Sequence, residues 1–101
     1  MFSGGTYDEV ARWLGNFLTS HAKREDPRIE VVFDADDERA GTSYHARLRL
    51  GERLSELIEL GYREVADNRG ALAWCLALAQ RTRERARALL AGSTAADVRP
   101  R

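Results

Sequence analysis

The sequence predicts an α+β fold in the order α-β-β-α-α, in which an antiparallel hairpin packs against helices and is extended by dimerisation. A capping box precedes a helical apolar stripe, two alternating segments surround a glycine-containing loop, and helical spacing then returns. With 101 residues, 44% of them hydrophobic and 32% charged, the chain can build one compact core. We assign residues 1–92 to a single domain and 93–101 to a flexible C-terminal tail.

The first helix has the clearest start signal. Thr6 and Glu9 have capping-box spacing, which lets each side chain bond the backbone N–H of the other residue. The apolar residues that follow are three or four positions apart: Tyr7, Val10, Leu14, Phe17 and Leu18. Because Pro27 cannot continue a helix, we expect this one to span about 7–23.

Two alternating segments, 28–34 and 43–50, predict the hairpin. Apolar residues occupy one face of each segment, and His45, Arg47 and Arg49 lie on the polar face of the second. Matching the apolar faces predicts three cross-strand pairs: Phe33 with Tyr44, Val31 with Ala46, and Ile29 with Leu48. The same register places Glu30 opposite Arg47, so the charge pattern agrees with the apolar one.

The remainder of the chain has helical spacing. Its first apolar series predicts a helix, and its members are Leu54, Leu57, Ile58, Tyr62 and Val65. Asp67 or Asn68 can cap a second helix over about 69–91. Whether residues 52–91 form one kinked helix or two is left open. Residues 71–79 are apolar on all sides of a helix, so we expect them to be buried on several sides.

A two-stranded hairpin has two open edges and is marginal alone, which favours a homodimer over a monomer. Either strand edges or the apolar helix can form the contact. The large apolar residues proposed for the interface are Trp13, Leu72, Trp74 and Leu78. A protein partner of another kind is a further possibility.

The charge distribution supports a second hypothesis. The formal net charge is zero, but residues 81–101 hold six arginines against one glutamate and one aspartate. A nucleic-acid-binding surface would draw on the strand face and the last helix, through His45, Arg47, Arg49, Arg81 and Arg85. This hypothesis ranks second, because Tyr44 lies on the apolar face and leaves no exposed aromatic for base stacking.

Specific chemical motifs do not emerge. The acidic loop at 34–38 lacks the calcium-loop pattern, since the sixth and twelfth positions from Asp34 are Arg39 and His45. A third hypothesis is a small enzyme whose site forms around His45 at a dimer interface, with Asp34 near it. We predict no catalytic residue, metal site or cofactor. Cys75 lies in an apolar run and is expected to be a buried, unreactive thiol.

The leading hypothesis is therefore a non-enzymatic, dimeric protein-interaction module, such as a small adaptor or chaperone-like subunit. With one cysteine, no signal peptide and no apolar run long enough for a membrane, we expect a cytoplasmic protein with no membrane partner.

Overall fold

An antiparallel sheet covered on one face by two long helices forms the fold. The structure, a computed structural model, describes residues 6–33 and 42–92. The predicted α+β class and the order helix, hairpin, helices are confirmed. In chain order the elements are α1 (Tyr7–Glu25), β1 (Glu30–Phe33), β2 (Ser43–Leu50), β3 (Arg53–Leu54), β4 (Ile58–Gly61), α2 (Tyr62–Asn68) and α3 (Leu72–Leu90).

The capping box predicted for α1 is present. Thr6 Oγ1 accepts a hydrogen bond from the Glu9 backbone N–H, and Glu9 Oε1 accepts one from the Thr6 N–H, each over 3.1 Å. The helix buries one stripe against the sheet, namely Val10, Leu14, Leu18 and Ala22. It ends two residues later than predicted, at Glu25, and Asp26 follows in an extended conformation.

The hairpin forms with a register two residues away from the predicted one. Phe33 pairs with Ala46 rather than Tyr44, and Glu30 pairs with Arg49 rather than Arg47. A shift of two keeps every side chain on its predicted face, so the apolar pattern could not detect it. Tyr44 is instead held by α1, where its ring stacks on Tyr7 at 4.6 Å and its hydroxyl donates to the Tyr7 carbonyl.

The other edge of β2 is covered by strands that were predicted as helix. After a two-residue turn with Gly51 at φ +65°, β3 pairs with the end of β2, and β4 pairs with its beginning. A bulge separates β3 from β4. There the Ser55 hydroxyl accepts from the Leu48 backbone N–H and donates to the Glu56 carbonyl.

The predicted helical series fails here because its residues fit two periods. Ile58 and Leu60 alternate with Glu59 and face the core, as the residues of a half-buried strand do. Only Tyr62 onward is helical, in the short α2. Asn68 belongs to the end of α2, where its side chain donates to the Glu64 carbonyl, so it does not cap α3. The structure places Ala71 at that cap, without a side-chain hydrogen bond.

Helices α1 and α3 run side by side in the same direction on one face of the sheet. Trp13 stacks near Trp74 at one end of the pair, and Glu25 meets Arg83 at the other. The core lies between this layer and the apolar face of the sheet, which includes Ala46 and Leu48. Among residues 6–33 and 42–92, no helix is long and apolar enough to cross a bilayer.

Candidate functional site

The face of the sheet opposite α1 and α3 carries the predicted basic strand residues. His45, Arg47 and Arg49 alternate with residues that face the helices, so all three project away from α1 and α3. Acidic side chains on the neighbouring strands lie next to two of them. Arg49 forms an ion pair with Glu30, and His45 Nε2 lies 3.3 Å from Glu59 Oε2. The face is therefore mixed in charge rather than uniformly basic.

The basic residues of α3 lie on the other side of the sheet. Arg81 lines a groove with Glu64, and Arg85 approaches Glu56 at 4.0 Å. Arg47 reaches the bulge, where Nη1 donates to the Ser55 carbonyl over 3.1 Å. The structure thus places His45, Arg47 and Arg49 on one face of the sheet and Arg81 and Arg85 on the helix that covers the other, with Arg47 and Arg85 both reaching the bulge at the edge.

His45 is close to an acidic residue but does not line a described cleft. Its side chain is only 7% exposed, and Glu59 is its acidic neighbour among the described residues. Asp34 lies outside the described residues, as does the rest of the acidic loop. His45 is absent from the linings of the two grooves beside α3. No group of three or more potential metal ligands occurs in the part of the chain that the structure describes.

The start of α3 is exposed, contrary to the expectation that it would be buried on several sides. Leu72 is 73% exposed and Leu76 61% exposed, one helical turn apart. Ala73 and Ala77 are also exposed, and together these four residues are called the apolar ridge. A helix at the surface of a single layer buries one stripe only, so an all-apolar helix leaves the opposite stripe in solvent.

The proposed interface residues take different places around this ridge. Trp13 and Trp74 are partly buried and stack with ring centroids 6.5 Å apart. The Trp74 indole N–H donates to Glu64 Oε2 over 3.2 Å. Leu78 is only 3% exposed and belongs to the core, so it supports the ridge from behind. Of the four proposed interface residues only Leu72 belongs to the ridge, and Leu76, which sequence reasoning did not single out, is the other large apolar residue exposed there.

Two grooves flank the ridge. One has a volume of about 230 Å³ and runs between α3 and the β4–α2 corner, where Leu60, Trp74 and Ala77 line it with Arg81. The other, of about 380 Å³, lies between α1 and α3 and is called the cationic groove. Its lining residues are His21, Arg24, Leu76, Ala79, Gln80, Arg83 and Arg87.

A single carboxylate organises the cationic groove. Glu25, near the end of α1, accepts from Arg83 Nε at 2.9 Å and from Arg87 Nε at 3.2 Å. These hydrogen bonds, Arg83's first, hold the pKa of Glu25 below its usual value. The sequence signal was present in the i,i+4 spacing of Arg83 and Arg87, which puts them on one face. The position of α1 beside that face was not predictable from spacing.

Cys75 is partly buried, and its Sγ lies 3.4 Å from the Arg69 carbonyl oxygen. This contact is a weak hydrogen bond from the thiol to the turn that precedes α3. It ties the first turn of α3 to α2 and gives the thiol a structural contact.

Comparisons with known proteins do not extend this description. No protein-family model matches the chain, and neither the curated proteins nor the solved structures contain a match.

Proposed function

We propose that this protein is a non-enzymatic, cytoplasmic interaction module, an adaptor or chaperone-like subunit, that forms a homodimer through the apolar ridge of α3. The observation that carries the proposal is the exposure of Leu72 and Leu76 on successive turns of one helix face. Single exposed apolar residues are common on monomers, whereas contiguous patches mark contact surfaces.

The ridge has more to gain from a partner than from water. Full burial of a leucine side chain contributes about 1.5–3 kcal/mol, and two leucines with the intervening alanines supply several times the thermal energy. No charged residue interrupts the described chain from 70 to 80, so no desolvation cost offsets this gain at the centre of the contact. The helix presents the patch on a rigid element.

The shape of the surface favours a second copy of this chain. A protruding helix face with a groove on each side is complementary to itself, because the ridge of one copy can enter a groove of the other. A two-fold axis near Leu76 makes the two α3 helices antiparallel. The exposed Asp67 before one ridge then approaches the half of the other helix that carries Arg83 and Arg87.

The strand edges offer a weaker route to the same stoichiometry. One edge of β2 that the hairpin prediction left open is covered by β3 and β4. The outer edge of β1 has only four residues and ends at Phe33, which is 41% exposed. A four-residue edge forms few inter-chain hydrogen bonds, so the helix contact is the stronger candidate.

The test is light scattering in line with size exclusion on three variants. Leu72→Glu puts a charge into the ridge at the first position of α3, where a carboxylate suits the helix dipole and the fold is preserved. We expect wild type to elute as a dimer and Leu72→Glu as a monomer. Asn16→Glu, which adds the same charge to an exposed position on α1, is the matched control and should stay dimeric.

The other possible results distinguish the helix contact from a strand-edge contact and from nucleic-acid binding. If Phe33→Glu disrupts the dimer and Leu72→Glu does not, the contact is the strand edge and the ridge proposal is wrong. A wild-type monomer across micromolar to high micromolar concentrations also overturns it. A heavier peak with strong absorbance at 260 nm that disappears at high salt would identify nucleic acid as the partner and the arginines as the site.

A further inference from the structure

We infer that the cationic groove between α1 and α3 is a binding site for a small organic phosphate, a phosphate monoester with an apolar or aromatic body. This inference does not rest on the dimer proposal, although the ridge residue Leu76 also lines the groove. The groove volume of about 380 Å³ falls within the range of about 300–1,000 Å³ typical of small-molecule sites.

The charges around the groove are unbalanced. Arg83 and Arg87 share the carboxylate of Glu25, at 2.9 Å and 3.2 Å. Arg24 lines the same groove and has no hydrogen bond or ion pair within residues 6–33 and 42–92. Three guanidinium groups therefore face one carboxylate. Glu84, one turn from Gln80, accepts a hydrogen bond from the Gln80 side chain at 3.2 Å and does not line the groove.

His21 reports the same positive potential from inside the groove. Its Nδ1 is buried and has no hydrogen-bond partner in the described chain, and its ring contacts Phe17 with centroids 4.6 Å apart. Burial lowers the pKa of His21 below 6.5, and the charges of Arg24 and Arg83 lower it further. Nδ1 itself is shielded, so His21 responds to a bound anion through its charge rather than through a direct hydrogen bond.

The chemistry of these groups selects a phosphate. A guanidinium presents two parallel N–H donors that match two phosphate oxygens, and arginine is the residue most suited to that geometry. A phosphate monoester carries close to two negative charges, which matches the excess of guanidinium groups over carboxylates. Leu76 and Ala79 give the groove an apolar part for the ester group.

The experiment is an NMR titration of the full chain with phenyl phosphate at a fixed pH of about 7, near the usual histidine range. We expect the signals of the His21 ring and of the Arg24 and Arg83 side chains to shift together and to saturate. A bound dianion also raises the His21 pKa relative to the free protein, which a pH series on the same signals measures. Two control ligands distinguish the contribution of the phosphate group from that of the aromatic ring. Inorganic phosphate lacks the ring and benzoate lacks the phosphate, so each should bind more weakly than phenyl phosphate.

Variants make the inference falsifiable. Arg24→Ala leaves the Glu25 contacts intact and should weaken phenyl phosphate binding by about tenfold, the loss of one charge-assisted contact. Arg12→Ala removes an exposed arginine on another face of α1 and should bind as wild type does. Leu72→Glu leaves the groove residues unchanged and should bind at least as tightly as wild type, because the proposed dimer contact at Leu76 adjoins the groove.

Three results would overturn the inference. One is the absence of saturable shifts at the groove. A second is equal affinity of wild type and Arg24→Ala. The third is binding that loses all preference among phenyl phosphate, benzoate and chloride, since this would indicate general ionic attraction rather than a site.

Discussion

In both halves of α3 the burial of residues differs from what the composition suggests, and the two differences are opposite. Residues 72–79 are apolar, yet Leu72 and Leu76 face solvent. Residues 80–90 carry four arginines, yet they bury Thr82, Ala86 and Leu89. Composition indicates how much apolar surface a segment has, whereas the face that meets the sheet decides which part of it is buried. In the first half the residues that do not face the sheet are apolar and remain exposed. In the second half the residues that do not face the sheet are polar.

The halves also differ in how they are held to the rest of the molecule. The first half leans on α1 through the Trp13–Trp74 stack and continues into the exposed ridge. The second half is joined to the end of α1 by Glu25, which contacts two arginines, while Leu89 fills the core behind it. The second half therefore anchors α3 to the rest of the fold, and the first half carries the surface that we propose as the dimer contact.

The largest expected difference is in stability. Leu89 is fully buried, so Leu89→Ala should reduce the free energy of unfolding by about 2–5 kcal/mol. Leu72→Ala removes an equal volume from an exposed site and should change it by less than about 0.5 kcal/mol in the monomer. Urea unfolding at a protein concentration low enough to dissociate dimers measures both. If the two substitutions reduced the free energy of unfolding equally at that concentration, the proposed division of roles between the two halves of α3 would be wrong.

Much of the fold followed from the sequence because local rules acted without competition. The capping box and stripe of α1 agree with each other, and the two alternating strands admit one assignment of faces. The register could not be obtained, since a shift of two residues changes no face. In the observed register Tyr44 packs against Tyr7 of α1, a long-range contact that strand alternation does not encode.

The segment before α2 shows why the rest failed. Ile58 and Tyr62 are spaced as on a helix, but Ile58 and Leu60 also alternate as on a strand, and β2 had an open edge to receive them. The segment fits both a helical and a strand periodicity, and its pairing with β2 determines that it forms a strand. The buried Ser55 that bridges the bulge carries no sequence signal of its own, because serine is ordinary in loops.

Only part of the candidate site could be predicted from the sequence, because the rest also depends on tertiary packing. The apolar character of residues 71–79 was evident, and so was the shared face of Arg83 and Arg87. Which stripe of α3 would be exposed, and that Arg24 and His21 of α1 would stand opposite, required the packing of two helices far apart in sequence.

A smaller effect is expected where the second half of α3 is joined to α1. Glu25→Gln keeps the shape of the side chain but removes the charge that Arg83 and Arg87 share. Because the pKa of Glu25 is lowered in the folded protein, its contribution is present above the usual value of 4.5 and is lost as pH falls through the lowered pKa. The variant should be less stable than wild type at neutral pH, and the gap should close in acid.

Chemical unfolding at a series of pH values measures that gap. Glu52→Gln removes an exposed carboxylate in the β2–β3 turn and is the matched control. A gap that does not change with pH would mean that Glu25 acts by packing alone and that the two arginines do not depend on its charge.

The smallest effect is expected at His21, which faces Arg24 from its own helix, Arg83 and Arg87 from α3, and Glu25 nearby. Its lowered pKa means that the unfolded chain takes up the proton first, so stability is fully present above about pH 6.5 and declines as pH falls below it. His21→Gln should flatten the decline between about pH 7 and 5, whereas His45→Gln tests whether the other histidine accounts for it. Saturating phenyl phosphate should flatten it in wild type as well, because a bound dianion favours the protonated ring. A decline that persists unchanged in His21→Gln would show that the groove does not control this part of the pH profile.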